Sequence, residues 1–211
     1  IAWYTISGAE HLGRTDPKTG ESIVIPLGDA VAGGVSYGTW PYGIDIHPID
    51  GSIWYSRLFA DEVGRIDPDT LEVTRFDSPM RGPRRMHFDA SGVLWVTGYS
   101  EGTLAAITPS TKDGKVSIKS KVYDMPEFSE GFRPAPYALG VHPQTQEVWV
   151  NENMTDRFYR FIPREERWVV YPIPLRGTYT RDFDFSPDGK VCASNNPAPL
   201  ASLEGATSEI L

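Results

Sequence analysis

Four residues at equivalent steps of a repeated sequence, Tyr42, Arg84, Tyr137 and Arg181, have the chemistry to hold an anion. Guanidinium forks match carboxylate and phosphate oxygens, and phenol hydroxyls add hydrogen bonds to a hydroxylated ligand. A second row, Arg57, Gly98, Glu152 and Asn195, stands three residues after a repeated anchor position. Glu152 lies in Asn151-Glu152-Asn153-Met154-Thr155-Asp156, whose side chains are the hard oxygen donors that Mg²⁺ or Ca²⁺ prefers. One carboxylate on one loop is also what a solvated turn looks like. Glu10 and His11 are adjacent and form a candidate acid/base pair. His47 and His142 precede proline in a repeated turn, and His87 is expected one residue earlier in the same place, so a turn role is assigned to all of them. No GxSxG, HExxH, phosphate-loop or dinucleotide glycine pattern occurs, and the Gly-rich stretch 28–38 lacks a strand-to-helix context.

These residues take their positions from a repeat. Pro83 to Thr97 reads as a strand, a tight turn at Gly92 and a second strand carrying Trp95. The pattern recurs from Pro41 through Trp54 and from Pro136 through Trp149, and more weakly from Thr180 to Ser194 with Cys192 in the anchor place. A third strand ends in Asp-Pro turn chemistry at Gly64-Arg65-Ile66-Asp67-Pro68 and Gly13-Arg14-Thr15-Asp16-Pro17. A fourth strand follows at 22–26, 73–76, 121–126 and 168–174. Four short antiparallel strands per unit, at intervals of about 40 to 55 residues, are the blade of a β-propeller. The expected fold is all-β, and both rows then fall at the mouth of the central channel. There they either hold a small-molecule ligand or protein partner, or satisfy one another and seal the channel.

The expected division is 1–40 (a blade lacking its first strand), 41–82, 83–135, 136–178, and 179–211 (a blade lacking its last strand). Ser208-Glu209-Ile210-Leu211 reads as the third strand of that last unit. The first and last units overlap instead of completing each other, so the expectation is an internal fragment of a larger ring whose remaining blades are its partners. Open sheet edges would make such a piece aggregate on its own. Insertions are expected before the first strand at 27–40 and 126–135, and between the third and fourth strands around 112–115.

With 211 residues, 40% hydrophobic and 12% aromatic, and with 20 Gly and 18 Pro, the chain suits many short strands and tight turns, not a helical bundle. A net charge of −8 with no basic run disfavours a nucleic-acid partner. No apolar run approaches the roughly 20 residues of a membrane span. The single cysteine, Cys192, excludes an internal disulfide framework.

Gly82-Pro83-Arg84-Arg85-Met86 through Ser91-Gly92-Val93-Leu94-Trp95-Val96-Thr97, together with Gly64-Arg65-Ile66, resembles the repeat of the virginiamycin B lyase (streptogramin lyase) propellers. The resemblance runs across essentially the whole chain. It implies a ring of about seven blades and a periplasmic or secreted setting. It also implies an Mg²⁺-dependent carbon–oxygen lyase that opens a cyclic ester by elimination, using His and Glu side chains at the channel mouth. The family's His position is taken here by Tyr42, Arg84, Tyr137 and Arg181, and its Glu position keeps an acid only at Glu152. The expectation is therefore a ligand- or partner-binding scaffold. The alternative is a metal-dependent lyase, or a lactonase-like hydrolase by analogy with gluconolactonase-type propellers.

Overall fold

The computed structural model describes residues 1–28, 38–175 and 177–195. Regular structure among them is β-strand apart from one short 3-10 turn at Pro163–Glu165. The strands are β1 (Ala2–Ile6), β2 (His11–Thr15), β3 (Ser22–Pro26), β4 (Pro41–Ile46), β5 (Ile53–Arg57), β6 (Glu62–Ile66), β7 (Val73–Asp77), β8 (Pro83–Phe88) and β9 (Leu94–Gly98). They continue as β10 (Thr103–Lys112), β11 (Lys115–Asp124), β12 (Pro136–Val141), β13 (Val148–Glu152), β14 (Arg157–Ile162), β15 (Arg167–Pro172), β16 (Thr180–Phe185) and β17 (Val191–Asn195). Within each of five sheets, β1–β3, β4–β7, β8–β11, β12–β15 and β16–β17, each strand pairs antiparallel with the next. The expected strand at Ser208–Leu211 and most of the Gly-rich stretch lie outside the described residues.

Side chains alternate between the two faces of a strand, and β5 and β9 are buried along their whole length, so both faces of these sheets are covered and successive sheets share the core between them. Trp54 and Val63 of one sheet pack with Met86, Leu94, Val96 and Ile107 of the next. Trp95 and Leu104 pack in turn with Leu139, Val150, Tyr159 and Phe161. Each such side chain contributes about 1.5–3 kcal/mol on burial. The indole N–H groups need partners when buried: Trp95 Nε1 donates to Asp89 Oδ2 at 3.0 Å, and Trp54 Nε1 to Ser52 Oγ at 3.0 Å.

The first strands β4, β8, β12 and β16 touch in succession, so they are the innermost row. Each carries a register shift at the same place: between Pro41 and Ile44, Pro83 and Met86, Pro136 and Leu139, and Thr180 and Asp182. A bulge of this kind re-aims the side chains within it. Tyr42, Arg84, Tyr137 and Arg181 are those side chains. Ser56 Oγ ties two blades together by accepting from Gly43 N at 2.8 Å and donating to the Arg84 carbonyl at 2.6 Å. The approach is so close that a Cβ on Gly43 would overlap that carbonyl oxygen.

The insertion at 112–115 is a two-residue turn with both φ values positive (51° at Asp113, 74° at Gly114), the geometry that matches strand twist in a hairpin. The position of His87 differs from expectation. Phe88 pairs with Leu94 as Ile46 pairs with Ile53, which sets Asp89 opposite His47 in the repeat and His87 two positions earlier, within the strand. The difference lies in the connecting turn, which runs over 89–93 here and over 47–52 in the preceding sheet. His142 Nε2 lies 3.2 Å from the Gly189 carbonyl of the following sheet, so this turn histidine joins two blades.

Candidate functional site

The bulges bring Tyr42, Arg84, Tyr137 and Arg181 into one cluster. The Tyr42 and Tyr137 hydroxyls are 2.6 Å apart, and Arg84 Nη2 donates to Tyr42 at 3.3 Å. The Arg84 guanidinium carbon lies 3.9 Å from the Tyr137 ring centroid, 4.2 Å from Tyr99 and 4.7 Å from Tyr42. Arg181 lies 4.3 Å from Tyr179 and 4.9 Å from Tyr137. Each such contact is worth about 0.5–2 kcal/mol, so rings on several sides hold each cation without neutralising it. Arg85 adds a third cation, 5.3 Å from the Tyr42 ring and 3.8 Å from Asp182. Arg84 Nε and Arg85 Nε are buried and make no hydrogen bond among the described residues.

Electrostatics follow from this packing. Burial pushes the Tyr137 phenol up, but its hydrogen bond with Tyr42 and the charges of Arg84 and Arg181 outweigh that and hold it below the ordinary phenol value. The cluster suits an acceptor-rich guest: cations, unpaired guanidinium N–H donors and two phenol hydroxyls are brought together. Tyr99 and Tyr179 were absent from the sequence-derived set because they lie just outside the repeated strands. Their signal was aromatic identity immediately after Gly98 and one residue before Thr180.

The second row does not share this environment. Arg57 is fully buried, with Nη1 on Glu62 at 3.1 Å, Nη2 on Glu10 at 3.2 Å and Nε on Thr39 Oγ1 at 2.6 Å. It is an ion-pair centre inside the protein and not a ligand-facing group. Glu10 is turned to that arginine and also accepts from Thr39 N, Thr39 Oγ1 and, at 3.2 Å, Trp40 N. His11 Nδ1 contacts the Ala9 carbonyl instead, so the expected Glu10–His11 couple does not form. Gly98 offers no side chain, and a Cβ there would overlap Thr103 Oγ1. Asn195 pairs with Thr180 across β16 and β17 and is half-buried.

Glu152 is almost wholly buried, and its oxygens accept from Met154 N at 2.7 Å, Thr155 N and Thr155 Oγ1. Burial raises its pKa, against the lowering effect of those donors. A carboxylate filled by its own loop is not poised to take a cation. Among the described residues no group of three or more His, Cys, Asp or Glu could hold a metal ion. The described residues do not fit Mg²⁺ or Ca²⁺.

Glu10 belongs to a device that recurs. At the same step of other sheets, Asp61 Oδ1 accepts from Gly82 N at 2.7 Å. Asp156 accepts from Gly177 N at 2.9 Å, and from Thr178 N and Thr178 Oγ1 at 2.8 Å each. Each acid at the turn before a third strand thus latches the segment entering the next first strand. The residue immediately before the first strand has positive φ in all three cases: 57° at Trp40, 66° at Gly82 and 44° at Tyr179. That conformation is strained for a bulky residue, and at Tyr179 it presents a ring to Arg181.

No protein-family model and no curated protein matches the chain. Solved structures do. It is similar to virginiamycin B lyase from Staphylococcus aureus in its selenomethionine form, with a TM-score of 0.70 at 18% identity over 92% of this chain and 59% of that one. A catalytically inactive variant of that lyase with quinupristin gives 0.73 at 17% identity over 99% and 64%. A putative 6-phosphogluconolactonase from Bacteroides uniformis gives 0.58 at 16% over 90% and 62%. The chain spans less than two thirds of the length of each of these structures. These likenesses establish the fold, a β-propeller of the virginiamycin B lyase type.

Proposed function

We propose that this propeller is a binding module whose channel mouth takes a small ligand or partner segment bearing a carboxylate or phosphate. The observation that carries this is the convergence of Arg84 and Arg181 on Tyr137, with Tyr42 hydrogen-bonded to the same phenol. Hydrogen bonds to charged groups are worth about 1.5–3 kcal/mol each, enough for one or two orders of magnitude in affinity. The resemblance in the repeat supports a periplasmic or secreted setting.

The test is calorimetric titration with inorganic phosphate, citrate and 6-phosphogluconate. Saturable binding of at least one, weakened about tenfold or more by Arg84→Ala and by Arg181→Ala and unchanged by Arg164→Ala, is expected. Equal binding by wild type and both mouth variants would refute the assignment.

A second function rests on Tyr137. The guanidiniums of Arg84 and Arg181 beside Tyr137 favour its phenolate, and that phenolate can accept a proton from a water or a C–H acid held there, returning to the phenol. That supports a lactonase-like hydrolase or a lyase acting on a cyclic ester. The likeness to a putative 6-phosphogluconolactonase points the same way. The metal-dependent form has no donor set among the described residues. Lactone opening that Tyr137→Phe abolishes, without loss of ligand affinity, would select this reading over simple binding.

A further inference from the structure

Outside the mouth, one strand breaks the regularity of the repeat. The outermost strands β3, β7 and β15 have 5, 5 and 6 residues, whereas β11 has 10 and pairs only with β10 among the described residues. Its other edge is unpaired. Side chains alternate along a strand and match across an antiparallel ladder. The pairs Lys112–Lys115, Thr108–Lys119 and Ala106–Lys121 therefore set Lys112, Lys115, Lys119 and Lys121 on one face. Val116 and Ile118 lie on the opposite face, against the core shared with the preceding sheet.

The lysine face looks into a cleft of about 610 Å³ between this sheet and the turn at Pro163–Glu165. Val93, Trp95, Ala106 and Tyr123 line it, and Lys119, Lys121 and Arg164 are also at its wall. The nearby acids are largely engaged: Glu166 pairs with Lys121, and Asp89 is held by Ser91, Val93 and Trp95. Asp113 sits at the hairpin tip.

Lysines on an exposed edge also discourage unwanted pairing, but that role needs neither doubled strand length nor an adjoining apolar cleft. We propose that β11 and this cleft bind an extended acidic peptide segment, added as a further strand to the free edge. Backbone pairing along β11 supplies affinity, the lysines beside the cleft select carboxylates at every second position, and the intervening apolar side chains fall on the opposite face beside Val116, Ile118 and the exposed Val122. A nucleic acid or sulfated glycan would meet the lysines but has no backbone amides for the edge and no aliphatic side chains for the Val116–Val122 face.

The probe is a capped peptide of alternating Glu and Val matched in length to β11, titrated into the intact protein, with its Lys–Val counterpart as control. Saturable binding of the acidic peptide alone, slowed amide exchange in 115–124, and a loss of about tenfold or more in Lys119→Glu/Lys121→Glu are expected. The variant's unchanged melting temperature shows that it folds. No binding, undiminished binding by the variant, or tighter binding of a heparin fragment or duplex DNA without protection of β11 would overturn the proposal. So would loss of peptide binding in Arg84→Ala, which would move the site to the mouth.

Discussion

Arg57 on β5 and Arg84 on β8 are the same residue type on strands that touch, and their surroundings give them opposite tasks. Arg57 is closed in by two carboxylates. Removing it leaves Glu10 half-buried without its cation and Glu62 with only Arg75 at 3.9 Å, so Arg57→Ala should lose about 3 kcal/mol of stability by urea denaturation. Arg84 rests on aromatic faces, and Arg84→Ala should cost only about 0.5–2 kcal/mol in the same measurement. Tyr137 offers a titration check. Its native pKa lies below the ordinary 10.0, so the native state sheds this proton before the unfolded chain does. The resulting stability is present above the unfolded value and is lost as pH falls through the native one. Phenolate absorbance should therefore show an early component on raising pH. Tyr137→Phe should abolish it, and Arg84→Ala or Arg181→Ala should move it upward.

At the scale of elements, the latches and bulges matter more than the strands they join. Asp156 holds three donors at the entrance to β16. Asp156→Ala should cost about 1–3 kcal/mol and speed amide exchange at Gly177 and Thr178, while exchange in β8 and β9 stays slow. The strands were legible because Trp and Val alternate between turn signals, and the row Tyr42, Arg84, Tyr137, Arg181 followed from counting along them. The fate of Arg57 was not legible. Its partner Glu10 belongs to the preceding sheet, and nothing in the local letters says that the two carboxylates meet there. Glu152 was obscured differently, since a loop rich in oxygen donors reads alike whether those donors face a cation or one another. The Asp-to-Thr latch was hidden by connectors of unequal length, which put Glu10 and Asp156 at different separations from their targets.

Across the whole molecule, each sheet is completed by its neighbour. The cores are shared pairwise, Ser56 and His142 bridge consecutive sheets, and each latch reaches forward along the chain. Interactions of this kind make stability a sum of nearest-neighbour terms. The Tyr–Arg cluster collects residues from several sheets, so local unfolding of any one of them would remove part of it.

The latches also have a mechanical meaning. Stretched between its ends, the protein would load the carboxylate clamps in shear, one junction at a time, and each rupture would release the length of a single blade. Pro41 to Pro83 spans roughly 150 Å when extended, and Pro83 to Pro136, lengthened by the β10–β11 hairpin and the loop after it, roughly 190 Å. Optical-tweezer traces should show discrete extensions of unequal size, the longest belonging to the sheet with the projecting hairpin. Asp156→Ala should lower the rupture force at its own junction and leave the step lengths unchanged.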